Sequence, residues 1–167
     1  ELHMKIGFVF QGGALFDSMT VFNNLAYPLR EHTRLPKAEI KERVLKTLKH
    51  FGLEGNESVY PGQLSGGMQK RVGLARAMML EPDVMLYDEP TAGLDPYNTK
   101  RIQELILTLK QDGVTSILVT HDMPTAMAVC DRIAYLQGGV IIFQGTVEEL
   151  EKNEDGILAR FVNGESS

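Results

Sequence analysis

Four polar positions in this chain each stand where a stretch of regular structure begins or ends, and each is suited to phosphate chemistry. Asp88-Glu89 closes the apolar run Val84-Met85-Leu86-Tyr87. A strand ending in carboxylates presents them at the C-terminal edge of an α/β sheet, where such folds bind ligands. His121 closes a second run, Ile117-Leu118-Val119-Thr120, and Gln11 closes a third, Ile6-Gly7-Phe8-Val9-Phe10. Ser65-Gly66-Gly67 opens a stretch with Met68, Val72, Ala75 and Met79 at helical spacing. A helix start carries roughly half a positive charge and unpaired N–H groups, and two glycines let an anion approach them. Each feature taken alone has a plainer reading: an acidic turn, a structural histidine, a surface glutamine, a capped helix with a loose entry.

The elements that must hold these residues are legible from patterning. Lys5–Phe10 is expected to be a strand broken by Gln11-Gly12-Gly13. Thr20 is expected to cap a helix running to about Arg30. Pro36 suits the first turn of a second helix, with Ile40, Val44, Leu45, Leu48 and Phe51 on one face and Gly52 as its stop. A third helix starts at Ser65 and ends at Pro82-Asp83. Strand Val84–Tyr87 follows, then a helix marked by Ile102, Leu105, Ile106 and Leu109 that closes near Gly113. Thr115–Thr120 reads as a strand and Thr125–Cys130 as a short helix. Gln137-Gly138-Gly139 joins Ile133–Leu136 to Val140–Phe143 as a hairpin. Thr146-x-x-Glu149 is a capping box opening a last helix. Alternating strands and helices predict an α/β fold. Residues 17–80 hold helices without a convincing strand, and read as a helical insert between sheet strands.

Composition narrows the function classes. With 167 residues, 43% hydrophobic and 23% charged, the chain fits a soluble globular domain with a real core. Its 17 basic and 22 acidic residues give a net charge of −5, which argues against a nucleic-acid binder. No apolar run of about 18 residues occurs, so no membrane-spanning helix is expected, and no secretory leader is expected either. The single Cys130 fits a reducing compartment and a small buried filler on a helix. Met68, Met78 and Met79 are expected in the core; Lys70 and Arg71 are expected to face solvent or a partner. His3, His32 and His50 lack ligand spacing, so no metal cage is expected. Residues 1–4 read as a cloning remnant.

Leu64-Ser65-Gly66-Gly67-Met68-Gln69-Lys70-Arg71, Asp88-Glu89, Pro90-Thr91-Ala92-Gly93-Leu94-Asp95, Thr120-His121-Asp122 and Gln11, taken together and in their order along the chain, resemble the signature, Walker B, D-loop, switch-histidine and Q-loop motifs of ABC ATPases. The resemblance runs from Lys5 to about Leu150 and implies a P-loop NTPase sheet with an inserted helical subdomain. It divides the chain into an α/β core at 5–16 and 81–150, a helical signature subdomain at 17–80, and a C-terminal helix and tail at 151–167. It further implies that Asp88 holds Mg²⁺ through water and that Glu89 acts as general base. His121 would hydrogen-bond the γ-phosphate. Gln11 would sense Mg²⁺ and the attacking water and couple to a transmembrane permease. Ser65, Gly66, Gly67 and Gln69 would contact the γ-phosphate of ATP held by a second subunit in a head-to-tail dimer, with Asp95 at the dimer interface. The cofactors implied are ATP and Mg²⁺. Gly13–Phe22 and Met68–Arg71 further resemble the ATPase of Mla-type systems, which implies phospholipid or other hydrophobic-substrate transport, an MCE-domain partner, and a site on the cytoplasmic face of a bacterial inner membrane.

One departure stands beside the likeness. No Gly-x-x-x-x-Gly-Lys-Ser/Thr occurs in these 167 residues, although that loop carries most phosphate binding in such domains. The isolated chain is therefore expected to bind ATP weakly and to be inactive alone, as part of a longer ATPase. Unpaired strand edges and bare apolar surface near Thr115–Thr120 are expected, with strand exchange, a non-native oligomer or local rearrangement as their consequence. The competing reading is a nucleotide-free interaction module that docks on a membrane partner through the helical block. An ABC ATPase of DNA repair or chromosome structure is disfavoured, because Gln11 to Ser65 leaves no room for a long coiled coil. The reading frame upstream of Lys5 separates the first two readings.

Overall fold

The computed structural model describes residues 5–152 and divides into two units, one reaching Val119 and the other beginning at Thr120. The first unit is built on a three-stranded parallel sheet in the order β1 (Ile6–Val9), β2 (Val84–Asp88), β3 (Thr115–Val119). Its register pairs Val9 with Tyr87 and Asp88 with Val119. All three strands thus point their C-terminal ends the same way.

Helices α1 (Val21–His32), α2 (Lys37–His50) and α3 (Gly66–Met78) fall between β1 and β2. Helix α4 (Pro96–Gln111) connects β2 to β3. Each of these helices turns an apolar stripe inward. Val21, Leu25 and Leu29 are buried on α1, Ile40, Val44 and Leu48 on α2, Val72 and Ala75 on α3, and Ile102, Ile106 and Leu109 on α4. Full burial of one such Leu, Ile or Val is worth about 1.5–3 kcal/mol, so the stripes supply most of the drive to dock these helices. The helix starts follow the sequence closely: Thr20, Ser65 and Asp95 each accept a bond from the backbone N–H three residues on. Gly52, with φ +63, ends α2 as expected. A 3₁₀ turn at Pro61–Gln63, not foreseen from the sequence, leads into the Ser65 cap.

Alternation along the sheet separates its faces. Val9, Met85 and Tyr87 are buried, whereas Ile6, Phe8, Ile117 and Val119 point to the opposite face and stay exposed, Val119 to 61%. Among the described residues β3 is an edge strand. Exposed apolar surface near Thr115–Thr120 is therefore present.

The second unit holds α5 (Met123–Val129), the antiparallel hairpin of β4 (Arg132–Gln137) and β5 (Val140–Thr146), and α6 (Val147–Glu151). Gly138 and Gly139 turn the hairpin with φ +57 and +83, the left-handed values that a two-residue turn demands. Met123 and Leu150 form its small core, with Met127, Ile133, Tyr135 and Phe143 packed around them. The capping box at Thr146 and Glu149 is present. Cys130 caps the C-terminal end of α5 and is half-buried, less enclosed than a core filler. Among the described residues no helix is long and apolar enough to cross a membrane. The expected cloning remnant at 1–4 and nearly all of the 151–167 tail lie outside the described residues.

Candidate functional site

The C-terminal ends of β1 and β2 bring Gln11, Asp88 and Glu89 to one edge of the sheet. Parallel pairing of Val9 with Tyr87 sets the two loops side by side, and the Glu89 N–H donates to the Val119 carbonyl at 2.9 Å, tying the carboxylate loop to β3 as well. Among the described residues no group of three acidic, histidine or cysteine side chains gathers to hold a metal.

Both loops are strained. Ala14 and Glu89 have φ of +45 and +47, a left-handed backbone that costs a non-glycine residue roughly 1–3 kcal/mol and persists only where surrounding contacts impose it. Side chains of α3 supply contacts to both. Lys70 Nζ donates to the Gln11 carbonyl and, at 3.2 Å, to the Glu89 carbonyl. Arg76 donates from Nη1 to the Ala14 carbonyl at 2.9 Å and from Nη2 to the Gly13 carbonyl at 3.2 Å. Between them Gly73 sits so close that a Cβ there would lie 3.2 Å from both Cα and O of Gly13. Lys70, Gly73 and Arg76 recur every three residues, so they share one face of α3.

Lys70 and Arg71 thus correct the expectation that they face solvent or a partner. The Arg71 guanidinium donates to the carbonyls of Phe51 and Gly52 at 3.1 and 3.0 Å, closing the end of α2. Burial draws the Lys70 ammonium below its ordinary pKa, opposed by the carboxylates of Glu89 and Asp88. Burial lowers Arg76 too, and Arg71, where the Arg101 charge adds to the effect. A long cation after a signature-like string reads equally well as a surface residue; only the placement of the two strand-end loops shows where it goes. Met79 is in the core, while Met68 and Met78 are half-buried.

Ser65 and Gly66 are exposed at the start of α3, with the Ser65 Oγ accepting from Met68 N at 3.3 Å. A Cβ on Gly66 would meet nothing. Gly67 is buried, and a Cβ on it would fall within the side-chain amide of Asn98. Asn98 in turn binds Asp95 through both its backbone N, at 3.0 Å, and its Nδ2, at 2.5 Å. Those bonds hold the Asp95 carboxyl below its usual pKa. Asn98 therefore couples the Ser65–Gly67 turn to Asp95, a link that no local pattern announces. Gln69 turns its amide back onto the carbonyls of Pro61 and Leu64, at 2.9 and 3.3 Å. In the second unit His121 is exposed, in the bend that leads to Asp122, the N-cap of α5.

The parallel α/β sheet, with carboxylates and a glutamine at one edge and helices between its strands, matches the fold class of P-loop NTPase domains. The chain belongs to the ABC transporter family: that family's model matches residues 1–92, more than half of the sequence. It is 41% identical over 98% of its length to a probable ribonucleotide transport ATP-binding protein, mkl, of Mycobacterium leprae (strain TN), covering 48% of that protein. It is 40% identical over 99% of its length to the intermembrane phospholipid transport system ATP-binding protein MlaF of Haemophilus influenzae, covering 63% of it. Among solved structures it resembles the ATP-binding cassette MJ0796, a dimer in a post-hydrolysis state bound to ADP and Pi. The TM-score is 0.77 and the identity 37%, over 86% of this chain and 63% of that one. The chain spans about half to two-thirds of the length of these relatives.

Proposed function

We propose that this chain supplies the catalytic carboxylates and the signature motif of an ABC transporter's ATP-hydrolysing subunit. The observation that carries this reading is the pair Asp88 and Glu89 at the end of β2, with the Gln11 loop fixed beside it. Glu89 is the general base: its carboxylate orients a water and takes its proton as that water attacks the γ-phosphate. Asp88, with Gln11 beside it, would hold Mg²⁺ through water. Bound Mg²⁺ would neutralise charge on the phosphates. His121 donates to the γ-phosphate and stabilises its charge. Ser65, Gly66 and Gly67 offer N–H groups to ATP held by a second, head-to-tail subunit, Gln69 braces that turn, and Asp95 lies at the interface. Residues 17–80 form the subdomain that meets a transmembrane permease, and 5–16 with 81–150 form the ATPase core. The similarity to MlaF and the Gly13–Phe22 segment support a phospholipid or related hydrophobic substrate, an MCE-type partner and a peripheral site on the cytoplasmic face of an inner membrane.

The test is steady-state ATP hydrolysis by the product of the complete reading frame, wild type against Glu89→Gln. The variant should lose about 10²–10⁴ in kcat, the range of general-base catalysis, with ATP affinity retained. Equal kcat in the two proteins would remove Glu89 from this role. Absence of any ATPase in the wild type would remove the reading altogether.

A further inference from the structure

A residue of α3 reaches both strained loops of the site. We propose that Lys70 is a positioning residue: its ammonium reaches the carbonyls of Gln11 and Glu89 together and so sets the spacing between the glutamine loop and the carboxylate loop. The role for catalysis rests on the reading of these loops as a nucleotide site.

Three features converge on it. First, a lysine ammonium has three donors and no acceptor, which suits one cation serving two carbonyls from different loops. Second, one of those carbonyls belongs to Glu89, whose left-handed backbone needs an external restraint, and Arg76 supplies the matching restraint at Ala14. Third, Lys70 and Arg76 issue from the same face of one helix, with Gly73 admitting the Gly13 backbone between them. A displacement of the first turn of α3, which carries Ser65–Gly67, would therefore move both loops together. Arg76 bonds the glutamine loop, at the Gly13 and Ala14 carbonyls, whereas Lys70 bonds a carbonyl of each loop.

The clamp can be read on the 167-residue chain by residue-resolved amide hydrogen exchange. Gly13 N–H bonds the Phe10 carbonyl at 2.8 Å, and Ala92 N–H bonds the Glu89 carbonyl at 3.2 Å, so the two amides report the two loops. Lys70→Met keeps the apolar stem and removes the donors. It should speed exchange at both amides about tenfold, the loss of one charge-assisted hydrogen bond at each, while Val44 and Leu48 of α2 keep their protection. Arg76→Met should speed Gly13 alone. Lys70→Arg should restore both amides, a rescue that loss of packing would not show. Should Lys70→Met fold poorly, Lys70→Gln, which is too short to span both loops, should give the same two-amide effect. A change at one amide only, equal acceleration in α2, or no rescue by Lys70→Arg overturns the proposal. ATP hydrolysis by the complete reading frame judges the other reading separately: if wild type hydrolyses none, the nucleotide site fails while the exchange data still decide the clamp.

Discussion

Gly73→Ala puts the packing of α3 against the glutamine loop to a quantitative test. Gly73 lies inside α3, where replacing glycine by alanine ordinarily favours the helix by about 1 kcal/mol. Here the new methyl would stand 3.2 Å from both the Cα and the carbonyl oxygen of Gly13. Those are backbone atoms, and they have little room to retreat: Gly13 O and Ala14 O are held by Arg76 and Gln11 O by Lys70. Overpacking of this kind costs about 1–3 kcal/mol. The clash should outweigh the propensity gain, leaving the variant less stable by about 1 kcal/mol. Urea unfolding followed at 222 nm measures it, since α1–α4 carry most of the helix; the midpoint should fall with the slope unchanged. Gly66→Ala is the internal control, because nothing stands near its Cβ, and it should leave stability unchanged or slightly raised. A Gly73→Ala protein more stable than wild type would mean that the loop does not rest on α3, and the account of how Gln11 is held would fall with it.

Asn24 is fully buried and binds the loop before α1 four times, accepting from Phe16 N and donating to the carbonyls of Phe16, Met19 and Thr20. Asn24→Leu should therefore cost about 2–4 kcal/mol by stranding those backbone groups, read as a shift in urea midpoint. The Tyr87 and Ser116 hydroxyls are both buried and face one another outside full hydrogen-bond geometry, so Tyr87→Phe should change stability by less than about 0.5 kcal/mol at neutral pH. Burial raises the Tyr87 phenol above 10.0, only partly offset by Ser116. Its contribution is therefore complete below pH 10.0 and lost as pH rises toward the folded value, since the unfolded chain ionises first. A pH series of wild type against Tyr87→Phe should diverge only above about pH 10. Ser65→Ala removes the α3 cap and should cost about 1 kcal/mol.

The sequence made the fold legible wherever a single local interaction decides it. Thr20, Ser65 and Thr146 act as caps because the bond each makes spans three residues, and Gly138-Gly139 turns the hairpin because its geometry excludes most other residues. The apolar runs ending at Gln11 and Asp88 were legible as strands, so those residues could be placed at the sheet's edge. What local pattern could not carry was every contact made across the chain. Lys70 and Arg71 read as surface charges because their acceptors lie 59 and 20 residues away. Asn98 shows no motif of its own; it matters because Gly67 packs against it. The left-handed backbone at Ala14 and Glu89 was hidden for the same reason, since the carbonyls of both residues are bonded by side chains of α3 far along the chain.

The central claim is that the Ser65–Gly67 turn faces a nucleotide held by another subunit. It is tested most directly by ¹⁵N chemical shifts of the Ser65, Gly66 and Gly67 amides in this chain, titrated with a P-loop-bearing subunit of the family. With MgATP present those three amides and Asp95 should shift together, and Gly66→Ala, which leaves the fold intact, should abolish the response. Shifts that are absent, or that are the same with and without nucleotide, would contradict the account.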